Sequence, residues 1–140
     1  MLAMTAAELQ GFLARDFGQV AQDFSVDAVD AAGLTLRLRV ETRHLRPGGT
    51  VSGPSMFALA DVAMYLAILS RIGPVALAVT TQCSIDFLRK PVAGRDMLGR
   101  AQILKLGRSL VVGDVLLYSE GVPEVVARAS LTYSVPPVKA

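Results

Sequence analysis

Asp61 is the one charged residue in the stretch GTVSGPSMFALADVAMYLAIL. If the helix encoded here begins at Pro54, whose fixed φ and missing N–H suit a first turn, Asp61 lies about two turns in. That depth excludes capping, because free backbone donors and the helix dipole act within the first turn. A solvated face does not fit either: on its side, at three- and four-residue spacing, lie Pro54, Phe57, Ala58, Met64, Tyr65 and Ile68, which form no polar stripe. A structural role would need a buried cationic partner, for which Arg46 and the strand arginines are the candidates. The functional alternative is a carboxylate in an apolar groove, tuned by desolvation and nearby dipoles to serve as base or nucleophile. Immediately before it, GTVSGP is a tight turn feeding a helix amino terminus, whose free N–H groups suit a carbonyl oxygen that is gaining negative charge. A base and an oxyanion site together point to acyl transfer.

Other chemistries have weaker claims. Cys83 is the single cysteine and cannot form an internal disulfide; beside Ile85 and Phe87 on a strand it reads as core, and nothing places His44 near it as a base. With one cysteine and one histidine the spacing rules for zinc are not met, so no metal is expected. The net charge of +2 comes from 14 basic and 12 acidic residues scattered along the chain, so no nucleic-acid footprint is present, although a small anionic ligand fits. Glu8, Arg15 and Asp16 interrupt the amino terminus, unlike a signal peptide, and the apolar run Met56 to Leu69 is shorter than the roughly 18 to 20 residues that span a bilayer. A cytoplasmic protein with no membrane partner is expected.

These residues need elements to hold them. The 140 residues suit a single domain, 1–140, and the 52% hydrophobic content suits a folded chain with apolar surface to spare for subunit contacts. Thr5 and Glu8 form a capping-box pattern ahead of Leu9, Phe12, Leu13, Phe17 and Val20, which predicts an amphipathic helix over 5–20. FSVDAV and LTLRLRV, joined by DAAG, predict a hairpin. The apolar helix should run over about 54–71, stopped by RIGP. Then VALAVTTQCSIDFL, MLGRAQILKL, LVVGDVLLYS and EVVARASLTYSV read as strands, with PPVKA as a tail. This order predicts an α+β fold, and a helix apolar around nearly its whole circumference is most simply buried by wrapping the sheet around it.

GTVSGPSMFALADVAMYLA, followed by CSIDFLRKPVAG and LKLGRS, resembles the hotdog-fold acyl-CoA thioesterases of the phenylacetate-degradation (PaaI-like) type, in which an antiparallel sheet wraps a long central helix. The similarity runs from about Arg46 to Ser134. It implies hydrolysis of a small or medium acyl- or aryl-CoA, with Asp61 as general base or nucleophile and the Gly53 backbone N–H polarising the carbonyl. It also implies a homodimer or dimer of dimers whose sites lie at the interface, a strand of one subunit facing the helix of another, so that Thr80 or Thr81 comes near the water that Asp61 activates. Arg89 and Lys90, with Arg108 in the LGRS turn, match regions where the family binds the phosphates of coenzyme A; charge-assisted bonds give the reason, and solvated strand ends are the alternative. Ser52, Pro54, Phe57 and Tyr65 complete the substrate-binding set. The chain departs from the family in having Arg46 where an asparagine is frequent and Ser52-Gly53-Pro54 where His-Gly-Gly is frequent. Those changes motivate the rival reading, a non-catalytic acyl-CoA binding or sensing protein. No cofactor is expected, coenzyme A being part of the substrate. His44 lacks the companions that hotdog dehydratases place around theirs, and no appended DNA-binding segment supports a regulator.

Overall fold

The computed structural model describes residues 2–136. Two short helices, α1 (Ala6–Asp16) and α2 (Gly18–Ala21), precede the hairpin β1 (Phe24–Asp30) and β2 (Gly33–Leu38). A 3-10 turn at Thr42–His44 leads to α3 (Gly53–Ile72), and β3 (Val79–Phe87), β4 (Met97–Leu106), β5 (Leu110–Ser119) and β6 (Ala127–Ser134) follow. All six strands form one antiparallel sheet in the order β1-β2-β4-β5-β6-β3, wrapped on α3 as the hotdog resemblance implied. Except for Pro136, the tail PPVKA lies outside the described residues.

Thr5 caps α1 as its sequence predicts, accepting the Glu8 N–H at 3.2 Å while Glu8 accepts the Thr5 N–H at 2.9 Å. The expected single helix over 5–20 is corrected, because Phe17 leaves helical geometry (φ −137°, ψ 46°) and separates α1 from α2. The turn lets the Phe17 ring meet Tyr65 edge-on at 6.0 Å. Propensity along the chain gives way here to an aromatic contact across it.

Leu59, Ala60, Ala63, Met64, Leu66, Ile68 and Leu69 of α3 are buried, so the helix is covered nearly all round. At 20 residues it is long and apolar enough to cross a bilayer, yet 67% of the apolar window is buried inside the protein, as befits a core helix. Glycines on the sheet let it approach: a Cβ on Gly113 would stand 2.3 Å from Met64 Cε, and one on Gly99 3.2 Å from Leu59. The inward stripes Met97, Gly99, Ala101 on β4 and Val111, Gly113, Val115, Leu117 on β5 alternate with outward residues, as period-two strands require. Strand β3 closes one edge of the sheet and keeps much apolar surface exposed, Leu77 just before it being 77% accessible.

Candidate active site

The Asp61 carboxylate finds its partners on the sheet. Thr80 Oγ1 donates to Asp61 Oδ1 at 2.6 Å, and Tyr133 Oη donates to the same oxygen at 2.7 Å. Tyr133 Oη also lies 3.0 Å from the Asp61 backbone carbonyl oxygen. Among the described residues Asp61 has no salt bridge, so neither Arg46 nor a strand arginine supplies the cation that a structural ion pair would need.

Thr80 and Tyr133 are opposite each other in the β3–β6 ladder, and the register slips between Thr80 and Gln82. Without that bulge, alternation from Cys83 and Ile85 would turn Thr81 inward. With it, Thr80 faces the helix and Thr81 stays exposed, its hydroxyl 3.3 Å from the Thr132 carbonyl oxygen. The threonine that reaches Asp61 within the chain is therefore Thr80.

Asp61, Val62, Tyr65, Ala76, Ala78, Val79, Thr80 and Tyr133 line a cavity of about 480 Å³, closed on another side by Asp16, Phe17 and Gln19. Tyr65 belongs to its wall, held by a bond from its hydroxyl to the Ala76 carbonyl oxygen at 3.0 Å. Burial first, and then the Asp61 charge, pushes the Tyr133 phenol well above the ordinary tyrosine range. The same two causes raise the Cys83 thiol, which counts against Cys83 as a nucleophile.

The start of α3 belongs to a second cavity, of about 590 Å³, which brings together Arg46, Gly53, Met56, Phe87, Arg89 and Lys90. A tight turn holds Arg46, with Gly48 and Gly49 at φ 103° and 87°, where a side chain would be strained. Ser52 caps the helix: its hydroxyl accepts the Ser55 N–H at 3.2 Å, while its own N–H donates to the His44 carbonyl oxygen at 2.8 Å. Pro54 has no N–H and is exposed, and the Met56 N–H already bonds the Ser52 carbonyl. The Gly53 N–H is thus the one backbone donor of this first turn without a partner among the described residues.

Phe57 is 40% exposed and lines neither cavity, and Arg108 stands apart in the β4–β5 turn, in a shallow groove with Lys105, Ser109 and Leu110. His44 is buried and structural: Nδ1 accepts the Glu41 N–H at 2.9 Å and Nε2 lies 3.5 Å from Asp23 Oδ2. Tyr133 is the functional candidate that sequence reading missed. Its signal was the inward stripe Ala127, Ala129, Leu131, Tyr133, which ends in a hydroxyl.

The chain matches the model of the thioesterase superfamily over residues 48–126. No curated protein matches it. Among solved structures, a candidate thioesterase from Silicibacter sp. TM1040 is 55% identical, with 98% of this chain and 95% of that chain covered and a TM-score of 0.92. A variant of the phenylacetic acid degradation protein PaaI from Thermus thermophilus is 30% identical, with 84% of this chain and 96% of that one covered and a TM-score of 0.70. Zebrafish thioesterase superfamily member 2, at 22% identity, covers 96% of this chain and 100% of its own with a TM-score of 0.84, a likeness of fold. By fold and by sequence, the chain belongs to the hotdog-fold thioesterases of the thioesterase superfamily.

Proposed function

We propose that the protein hydrolyses the thioester bond of an acyl-coenzyme A, in a site that two copies of the chain complete. The observation that carries this reading is the Asp61 carboxylate, unpaired with any cation among the described residues and lining a cavity of about 480 Å³ with both polar and apolar walls. Asp61 takes a proton from water as the water oxygen bonds the thioester carbon, or bonds that carbon itself to give a mixed anhydride, which water then hydrolyses at the same carbon to free the acid and restore the carboxylate. The carbonyl oxygen gains charge, the C–S bond breaks, and coenzyme A leaves as a thiolate, which needs no strong general acid because thiols ionise near pH 8.5. Water supplies the oxygen of the acid product in either route.

The Gly53 N–H suits the developing oxyanion, since the Ser-Gly-Pro-Ser sequence leaves it as the free donor of its turn. Gly53 and Asp61 of one chain are eight residues apart on a helix, about 12 Å along its axis. With that separation, and as the family resemblance implies, Gly53 of one copy serves Asp61 of another in this reading. The exposed apolar residues of the β3 edge, Leu77, Val79, Phe87 and Leu88, favour such a homodimer.

The acyl or aryl group occupies the Asp61 cavity against Phe17, Val62 and Tyr65, with small to medium groups fitting its volume. Arg46, Arg89 and Lys90, gathered on one cavity without a carboxylate in its lining, suit the phosphates of coenzyme A, with Arg108 as a further contact. The test is a panel of acyl-CoA substrates followed by free thiol release. Turnover of at least one, lowered on the order of a hundredfold or more in Asp61→Asn, is expected. Tight binding of acyl-CoA without thiol release from any member would replace this reading with that of a binding protein.

A further inference from the structure

Both hydroxyls that reach Asp61 converge on Oδ1. Oδ2 has no hydrogen-bond donor among the described residues, yet no side-chain oxygen or nitrogen there is both sealed and unpartnered, so Oδ2 opens onto the cavity that Asp61 lines. The asymmetry has a chemical consequence. Two donors occupy the lone pairs of one oxygen and pin the carboxylate in rotation, so its free oxygen is the one able to take a proton or attack.

Tyr133 is built for that task. It is only 3% exposed, its ring lies 6.2 Å from that of Tyr65, and the β3–β6 register sets it opposite Thr80. Its single hydroxyl proton has two acceptors in range, but the helix ladder already serves the Asp61 carbonyl and the carboxylate is both nearer and charged. Burial keeps the phenol protonated, which makes it a fixed donor and not a source of protons. We propose that Tyr133 is a positioning residue: with Thr80 it occupies Oδ1 of Asp61 and presents Oδ2 to the water or thioester. This rests on the thioesterase reading for its kinetic consequence but on geometry for the contact.

The experiment uses four full-length proteins: the parent, Tyr133→Phe, Asp61→Ala and the double variant. Tyr133→Phe keeps the ring and its packing. It should lower kcat roughly 10- to 100-fold, the scale of a misaligned reacting group, with KM within about twofold of the parent. In the Asp61→Ala background the same change should cost nothing further, because the group it orients is gone. A parent-like kcat for Tyr133→Phe, or the same fold-loss in both backgrounds, would overturn the proposal. Urea unfolding of the same four proteins reads the contact without any substrate: coupled midpoint shifts support it, and additive shifts overturn it. A parent that releases no thiol but shows coupled midpoints would refute the proposed function while leaving the Tyr133–Asp61 contact supported.

Discussion

Replacing Asp61 by asparagine separates chemistry from stability. The amide keeps the shape and an oxygen that can accept from Thr80 and Tyr133, so both contacts survive in neutral form. Two hydrogen bonds then weaken from about 1.5–3 kcal/mol each toward about 0.5–1.5. Against this, a half-buried charge no longer has to be kept partly out of water, a relief of similar size. The net change in stability should stay within about 1 kcal/mol, a shift of at most about 4 °C in Tm for a chain of this size. Activity should respond quite differently, because loss of a general base typically costs on the order of a hundredfold or more in kcat, about 2.7 kcal/mol of barrier. Had Asp61 been half of a buried ion pair, the same substitution would strand a cation, cost roughly 3–5 kcal/mol and lower Tm by roughly 10 to 20 °C. Single-turnover thiol release and thermal unfolding of the one variant distinguish these outcomes. A variant that hydrolyses its best substrate at near the parent rate would remove Asp61 from the mechanism.

Other perturbations address the remaining parts. Arg89→Ala should raise KM for acyl-CoA several-fold more than for a truncated thioester lacking the nucleotide, and should flatten the salt dependence, as steady-state kinetics at two ionic strengths would show. Sedimentation at micromolar concentration should find dimers or larger assemblies, and a fully active monomer would refute the shared site. Gly113→Ala should destabilise by roughly 1–3 kcal/mol in urea unfolding, since the new Cβ would stand 2.3 Å from Met64 Cε and 2.6 Å from the Gln102 carbonyl oxygen.

Much of this arrangement was legible in the chain because it is local. Pro54 and the RIGP stop bracketed α3 to within a residue at each end, and β4 and β5 coincide with the segments MLGRAQILKL and LVVGDVLLYS. What escaped reading depends on contacts across the fold. Thr80 and Thr81 were indistinguishable because a one-residue slip decides which faces inward, and that slip is set by the pairing of β3 with β6. Tyr133 is 72 residues from Asp61 in sequence, and no spacing rule connects them. The break at Phe17 likewise answers to Tyr65, a partner on another helix.

The matched stretch, 48–126, supplies Asp61 and Thr80, but Asp16, Phe17 and Gln19 of the cavity wall, and Tyr133, lie outside it. Under the proposed function, the reacting carboxylate comes from the shared part of the chain while part of the acyl chamber is furnished by its periphery. The helices at the amino terminus can then be exchanged or reshaped to admit a different acyl group without disturbing the residues that break the bond. Phe17, which turns out of its helix to lean on Tyr65, is the place where such a change of clientele would begin.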